Sequence, residues 1–275
     1  MSLMSKLLMS SLTATLMLSA ATFDIEKFVK NSVVTNPQVK IKKIDIVSTQ
    51  KIPGNNNWKA YLVMANLIYK GKTIKEPMTI FADEKSGLAT MSLFDAKTGK
   101  DYQRTIKPSL PESYYDDEHL VFGDKNAKHK MVIFSDPQCP FCIQFVPKAI
   151  KDFKEKKGDI ALYYYHMPLV RLHPVSEPLT RVMEVLQKEG KREQALKVYD
   201  LKISAREKNV DKILAALKKQ LGIEVSKEAI AKKEIKEAVQ KDMDAAREMM
   251  VRGTPTVYLD GEFDESRAKY KKFLK

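Results

Sequence analysis

The only two cysteines of the chain are separated by two residues, in a Cys-Pro-Phe-Cys motif at 139–142. The apolar run 131–134 before the motif is typical of a short buried strand, and the spacing of apolar residues over 143–154 predicts an amphipathic helix. A thiol at the start of a helix has a lowered pKa because unpaired backbone N–H groups stabilise its thiolate. We therefore predict that Cys139 is the nucleophile of a redox pair and that Cys142 is its resolving thiol.

Two other interpretations of the motif are half of a zinc site and a pair of inert core thiols. A structural zinc ion needs four ligands. The four histidines, which show no matching paired spacing, are His119, His129, His166 and His173. No metal site and no bound cofactor is therefore predicted, other than the redox disulfide between Cys139 and Cys142.

Composition limits the classes of protein to which the motif can belong. With 275 residues, 44% of them hydrophobic, the chain is long enough for one or two domains with a buried core. The net charge of +13 could indicate a nucleic-acid binder, but Lys and Arg alternate with Glu and Asp along helical segments. The sequence contains no RNA-recognition aromatics and no basic block, so nucleic acid is not an expected partner.

The first residues have the pattern of a secretory signal peptide. Lys6 precedes an apolar stretch at 7–18, which is short for a membrane span, and small residues follow at 19–21. We expect a signal peptide at 1–21 and cleavage after Ala21; an uncleaved membrane anchor is the alternative. A lone cysteine pair in an exported protein is better suited to act on other proteins than to crosslink its own chain.

Residues 22–98 have the pattern of a small α+β domain. Asp24 can cap a helix that ends before Asn36 and Pro37. Four runs of strand-forming residues follow, at 39–47, 58–69, 73–81 and 88–94. Turn residues separate them, which predicts one helix on an antiparallel meander. Because an edge strand could pair with a second copy of the chain, we expect a homodimerisation domain; a monomer with a capped edge is the alternative.

A linker is predicted at 99–118, where prolines interrupt any helix, and its length would let the following module move. The second unit occupies 119–275. Its first strands are expected at 120–122, 129–135 and 160–165. The motif helix crosses between the last two strands, so the cysteines lie at the carboxyl edge of a parallel pair. A helical insertion is expected at about 175–250, with helices at 175–188, 192–202, 210–221 and 227–250.

The chain then returns to a strand at 256–259, which Gly253, Thr254 and Pro255 precede. A turn at Asp260-Gly261 and a closing helix at 265–274 are expected after it. Cys-Pro-aromatic-Cys after one strand, with Gly-Thr-Pro-Thr before a late strand, resembles the thioredoxin fold. Within that fold, the chain resembles the exported Dsb thiol:disulfide oxidoreductases.

This resemblance implies roles for particular residues. Pro255 is expected to be cis and to lie against the cysteines, although an ordinary trans proline opening a strand is the alternative. Thr254 and Phe141 are expected to contact the substrate. The positions that support the motif are Pro140, Pro147 and Gly253.

Other features are similar to particular Dsb proteins. Ser135-Asp136 resembles DsbC and DsbG, as does a sheet domain joined by a linker, whereas Leu172-His173-Pro174 resembles the start of the DsbA helical insertion. Together they resemble the hybrid, dimeric Dsb proteins of Helicobacter-type bacteria. In contrast, Ile133 occupies the strand position where thioredoxin and DsbA hold a buried acid. His173 is more consistent with a packed structural histidine than with a site residue.

The resemblance implies a periplasmic enzyme that introduces or rearranges disulfides in exported cysteine-containing proteins. A DsbB-type or DsbD-type membrane protein would then be its redox partner. Because Phe141 is apolar and carries no charge, we expect a potential less oxidising than that of DsbA and a less depressed pKa for Cys139. The alternative function is a holdase chaperone that binds unfolded clients in a dimer cleft.

Overall fold

The computed structural model describes residues 23–156 and 159–274. The predicted signal peptide lies outside these residues. Two sheets organise the described chain, one before and one after residue 100. Among the described residues, no helix is both long and apolar enough to cross a membrane.

The first sheet is an antiparallel meander beside one short helix. Helix α1 (Ile25–Phe28) begins where the Asp24 carboxylate accepts a hydrogen bond from the Lys27 N–H at 2.9 Å, and a π-helical turn, Val29–Val33, continues it. The strands, in the spatial order β1-β2-β3-β4, are β1 (Val39–Ile52), β2 (Asn55–Tyr69), β3 (Lys72–Asp83) and β4 (Leu88–Thr90). The meander agrees with the turn residues of the sequence, and β1 is its long edge.

Strand β4 is shorter than the predicted run at 88–94. It pairs only with residues 81–83 of β3, and beyond it Phe94 makes an isolated bridge to Asp101. The Asp95 carboxylate accepts hydrogen bonds from the N–H groups of Lys97 and Thr98, so the chain turns away from the sheet there.

The second sheet has five strands in the order β5-β7-β6-β8-β9. These strands are β5 (Leu120–Phe122), β6 (His129–Ser135), β7 (Ile160–His166), β8 (Thr256–Leu259) and β9 (Glu262–Phe263). Strands β6 and β7 are parallel, and the other neighbours are antiparallel. The motif helix crosses between β6 and β7, so the predicted βαβ unit is present.

Helices cover this sheet. A short helix precedes it, α2 (Tyr102–Thr105), and the motif helix is α3 (Pro140–Glu155). The insertion contains α4 (Ser176–Lys188), α5 (Arg192–Lys197), α6 (Val210–Leu221), α7 (Lys227–Ala231) and α8 (Lys233–Glu248). Single 3-10 turns lie at Glu112–Tyr114, Val198–Asp200 and Lys269–Phe273.

Three predicted helices were wrong in extent. The helix predicted at 192–202 ends at Lys197 and continues only as the 3-10 turn Val198–Asp200. The helix predicted at 227–250 is broken at Lys232, whose ψ of 144° is extended. The break lets both Ile230 and Ile235 reach the core. In one continuous helix these two residues, five positions apart, would point about 140° apart around the helix axis. The closing helix shrinks to the 3-10 turn because Arg267 has a φ of 56° and the buried Asp264 carboxylate accepts the Lys269 N–H.

The predicted linker is packed rather than free to move. Tyr102 and Ile106 lie in one core with β2 residues and with Met250, which follows α8. Farther along, Leu110 and Tyr114 lie in the core beneath β6 and β7. The expectation that this segment lets the second unit move is therefore corrected: its apolar side chains are buried against both sheets.

A partly buried histidine connects α8 to the start of β5. His119 Nδ1 lies 2.7 Å from Asp116 Oδ1, and its Nε2 lies 2.8 Å from Asp242 Oδ1. Burial alone would lower the pKa of His119, but hydrogen bonds to the two carboxylates raise it to about 9.

We expect this contact to make the stability of the protein fall as the pH rises. A group whose pKa is raised in the folded state contributes its full stability below its unfolded pKa of about 6.5 and loses it as the pH rises through about 9. The loss should approach about 3 kcal/mol. Urea unfolding of the wild type and of His119→Gln at pH 6 and pH 9.5 measures it. A difference between the two proteins that is the same at both pH values would contradict the assignment.

Candidate active site

Strand register brings the late proline loop to the cysteines. Strand β8 pairs antiparallel with β6, and Thr256 lies opposite Phe134. The residues just before β8 therefore lie beside the end of β6, where the motif begins. The Thr254–Pro255 bond is cis, as predicted, and the Thr254 carbonyl oxygen lies 3.4 Å from Cys139 Sγ.

Cys139 is the N-cap residue of α3, and Pro140 occupies the first turn of the helix, as predicted. Both cysteines are free thiols. A hydrogen bond from Cys142 is the main cause that lowers the pKa of Cys139 to about 5, against the opposing effect of burial. The Thr254 hydroxyl and the backbone N–H groups at the start of the helix also favour the thiolate. Cys139 is thus the activated thiol of the pair.

Cys142 is in the opposite state. Its side chain is fully buried, and burial, followed by its hydrogen bond to Cys139, raises its pKa well above the ordinary value. The Asp136 backbone N–H and, to a smaller extent, the Ser135 hydroxyl oppose this effect and lower the pKa of Cys142. The two thiols therefore differ in ionisation: the thiolate is favoured at Cys139 and the protonated thiol at Cys142.

A chain of buried hydroxyls stands behind Cys142. The Ser135 Oγ and Tyr199 OH oxygens are 2.7 Å apart, and so are the Tyr199 and Tyr164 hydroxyl oxygens. All three side chains are at most 1% exposed. Ile133, at the position where thioredoxin and DsbA hold a buried acid, is buried in the apolar core. The polar groups near Cys142 on the side of β6 and the insertion are therefore hydroxyls.

Asp136 holds the loop before the motif in place. Its carboxylate accepts hydrogen bonds from the Gln138 N–H at 2.7 Å, the Leu169 N–H at 2.8 Å and the Ser176 hydroxyl at 2.5 Å. His173 Nδ1 lies 3.0 Å from the same carboxylate. Asp136 thereby ties the motif loop to the start of the insertion.

No role was predicted from the sequence for Ser135, Asp136 or Tyr199. Ser135 and Asp136 lie four and three residues before Cys139, and that proximity in sequence could have marked them. Tyr199 is 57 positions beyond Cys142, in a segment predicted only as helix, and nothing in the local pattern marks it.

The remaining predicted residues lie at the surface of the site or support it. Phe141 is 65% exposed beside Cys139. It lines a groove with Gly253, Thr254 and Pro255. Pro147 lies inside α3 and leaves the Ile143 carbonyl without its helical donor. Within residues 23–156 and 159–274, no group of three or more His, Cys, Asp or Glu side chains is arranged to hold a metal ion.

The fold and the site correspond to a known family. A family profile described as "Thioredoxin" matches residues 116–275, which is more than half of the chain. The chain belongs to the thioredoxin family.

Similar proteins carry names from disulfide chemistry. "Probable disulfide bond formation protein D" of Bacillus cereus is 29% identical over 170 residues, covering 56% of this chain and 77% of that protein. The protein of the same name from Bacillus anthracis is 28% identical over the same shares. Among solved structures, oxidised BdbD from Bacillus subtilis is 21% identical with a TM-score of 0.48, and the match covers 61% of this chain and 93% of that one.

Proposed function

We propose that this protein is a thiol:disulfide oxidoreductase that introduces or rearranges disulfides in exported proteins through Cys139 and Cys142. The observation that carries the proposal is the divided ionisation of the pair. Cys139 has a pKa of about 5 at the head of α3, and Cys142 is a buried thiol behind it. Among family members the free-thiol pKa of the attacking cysteine spans about 3.5 in DsbA to about 7 in thioredoxin, so Cys139 lies between them.

In the oxidised form, a client thiolate attacks Cys139 Sγ. The Cys139–Cys142 bond breaks, Cys142 leaves as a thiolate and takes up a proton, and a mixed disulfide joins Cys139 to the client. A second client thiolate then attacks the client sulfur and releases Cys139 as a thiolate. The client loses two electrons, and the protein gains them as its dithiol. In rearrangement, Cys139 attacks first and Cys142 releases a stalled intermediate.

Thr254 and Pro255 supply the place for the client chain. Thr254 can pair with an extended segment by strand addition, and Pro255 has no N–H that would compete for the client carbonyl. Phe141 offers an apolar contact on the other side of Cys139. Gly253 adds no side chain to this edge, and nothing lies within 4 Å of the position its Cβ would take.

The Ser135 hydroxyl should speed the release step. It favours the Cys142 thiolate. A hydrogen bond to a charged group is worth about 1.5 to 3 kcal/mol, and the lower nucleophilicity of the stabilised thiolate offsets part of that gain. We expect Ser135→Ala to slow the attack of Cys142 on a Cys139–glutathione mixed disulfide by about two- to tenfold, measured in a single turnover. Ser135→Thr keeps the hydroxyl and should restore the rate, while alkylation of Cys139 stays unchanged in both. An equal slowing in the two variants would refute the donor role.

We also propose the periplasm as the location and a homodimer as the assembly, with a DsbB-type or DsbD-type membrane protein as redox partner. The edge strand β1 supports dimerisation, because it pairs only with β2 and exposes Ile46 and Val47. A sheet domain before the thioredoxin half is also the domain order of DsbC and DsbG. We propose that it is combined here with a DsbA-like helical insertion, as in the Helicobacter-type proteins. Sedimentation at micromolar concentration tests the dimer; a monomer refutes it.

The cellular redox state separates oxidase from isomerase. Acid quenching of cells followed by thiol alkylation and fractionation reports the state of Cys139 and Cys142 in place. A periplasmic, mostly disulfide form indicates an oxidase with a DsbB-type partner. A mostly dithiol form indicates an isomerase with a DsbD-type partner, and a cytoplasmic protein would refute the location.

The alternative is a holdase that binds unfolded clients in a dimer cleft. Refolding of a reduced, disulfide-containing client, measured beside suppression of its aggregation, distinguishes the two functions. We expect Cys139→Ala to abolish oxidative refolding. If refolding yield depends only on suppressed aggregation and is unchanged in Cys139→Ala, the oxidoreductase is refuted and the holdase is supported.

A further inference from the structure

A groove of about 600 Å³ lies between the linker segment at 99–118, here called the connector, and the loop before β8. Gln103, Arg104 and Lys107 contribute its connector side, and Arg252 contributes the loop side. Phe141 lines the end beside the reactive thiol. The groove is therefore built by both halves of the chain, and Thr254, which lines one end of it, lies next to Cys139.

A buried ammonium with unused donors lies in this groove. Lys107 is 8% exposed, and its Nζ donates to the Met250 carbonyl oxygen at 2.8 Å. An ammonium has three N–H donors, so this one acceptor leaves two of them for another group. A ligand oxygen in the groove would satisfy them.

A second cation lies close to the first. Burial is the main cause that lowers the pKa of Lys107 to about 8, and the charge of Arg252 adds to it. In the part of the chain that the structure describes, Arg252 has no carboxylate partner within 4.0 Å. The two cations therefore repel each other, and a bound anion would relieve that repulsion.

The carboxylates that line the groove form hydrogen bonds or ion pairs with other residues. Asp101 accepts the Gln103 N–H at 2.9 Å and pairs with Arg104 at 3.4 Å. Asp264 accepts the Lys269 N–H at 2.8 Å, and Glu265 pairs with Lys100 at 3.3 Å. None of these carboxylates therefore lies within 4.0 Å of the Lys107 or Arg252 nitrogens, and the charge of Asp101 offsets only part of the effect of burial and Arg252 on Lys107.

The groove is within reach of a client bound at the thiol. Arg252 is two residues before Thr254, whose carbonyl oxygen is 3.4 Å from Cys139 Sγ. Two residues of extended chain span at most about 7 Å. A client segment with its cysteine at Cys139 therefore carries its second or third neighbouring side chain over Lys107 and Arg252.

We propose that this groove binds a carboxylate of the client, two or three residues from the reacting cysteine, so that the protein selects acidic cysteine-containing segments. The inference rests on the proposed function, because it names the substrate class of the same site. Lys107 and Arg252 determine specificity; they take no part in the electron transfer.

Synthetic peptides test the inference with the oxidised full-length protein. Each peptide carries one cysteine and, two or three residues to either side, Asp, Asn or Lys. The rate constant for reduction of the Cys139–Cys142 disulfide is divided by the rate constant of the same peptide with an uncharged disulfide, that of 2-mercaptoethanol, which corrects for the effect of the neighbour on the peptide thiol. We expect the corrected rate constant of the Asp peptide to exceed that of the Asn peptide by about five- to tenfold in at least one position, and that of the Lys peptide to be lower than that of the Asn peptide. High salt should reduce this preference.

Arg252→Gln is the informative variant because its side chain is exposed and its loss leaves no buried group unpaired. It should reduce the Asp preference to about twofold or less while leaving the Asn peptide unchanged. Lys219→Gln on α6 makes the same change in net charge outside the groove and should retain the full preference. Lys107→Met gives a second readout if it folds.

Equal corrected rates for all three residues at every position would overturn the inference, and so would an Asp preference that persists in Arg252→Gln. An equal loss in Lys219→Gln would assign the preference to net charge and also overturn it. If no peptide forms a mixed disulfide with Cys139, even in the Cys142→Ser variant with a peptide disulfide, the proposed function itself is refuted, which is a separate result from equal rates.

Discussion

Cys142→Ser should accumulate as a stable mixed disulfide with a cysteine-containing client, whereas Cys139→Ser should form none. Cys139 keeps 4% of its surface exposed and has the lowered pKa, so it makes the intermolecular bond, whereas Cys142 is fully buried behind it and only breaks that bond. Turnover in both variants should fall on the order of a thousandfold or more, because each lacks one sulfur of the exchange. Non-reducing electrophoresis with mass spectrometry identifies the adduct.

The double variant Cys139→Ser/Cys142→Ser is the matched control for this pair. It separates covalent capture from non-covalent binding of the client, since it keeps the groove and lacks both thiols. A mixed disulfide that forms through Cys142 in Cys139→Ser, at a rate like that of Cys139 in Cys142→Ser, would reverse the assigned roles.

Alkylation of the reduced protein should show a midpoint near pH 5 for Cys139. Because its pKa is lowered to about 5, the rate should be flat above about pH 6 and fall about tenfold per unit below pH 4. At pH 5 about half of Cys139 is thiolate, against roughly three in ten thousand for a free cysteine of pKa about 8.5. Even after the lower intrinsic nucleophilicity of the weaker base, Cys139 should react some tens of times faster there.

Peptide mapping after partial alkylation assigns the reactive thiol. The label should appear on Cys139, and Cys142 should stay unlabelled until the protein unfolds, since its side chain is inaccessible. Thr254→Val removes the hydroxyl beside the sulfur at nearly constant volume and should move the midpoint upward. A Cys139 midpoint above pH 8, or labelling of Cys142 at the same rate, would contradict the divided ionisation.

Local patterns were sufficient for much of the fold. The runs at 129–135 and 256–259 coincide with β6 and β8, since a buried strand bounded by turn residues is visible over a short window. The juxtaposition of Pro255 with Cys139 followed from resemblance to a family; no local pattern links positions more than a hundred residues apart. Physical spacing alone left that proline open between cis and trans.

Features that depend on tertiary packing could not be predicted from the sequence. Tyr199 joins Ser135 and Tyr164 only because the insertion folds back over β6 and β7. The linker at 99–118 was predicted from its length to let the second unit move, yet Tyr102 and Ile106 pack against apolar residues of the first sheet and against Met250. Whether an apolar side chain in such a segment is buried depends on which surface lies next to it.

The central claim is that Cys139 and Cys142 form a reversible redox couple, and equilibration with glutathione tests it most directly. Reduced protein is incubated in buffers of increasing glutathione disulfide, quenched with acid, alkylated and weighed intact. We predict that the protein loses two hydrogens in a single two-electron transition, at a potential more reducing than the about −120 mV of DsbA. Two thiols that remain reduced across the whole range, or a protein that stops at a glutathione adduct on Cys139, would contradict the account.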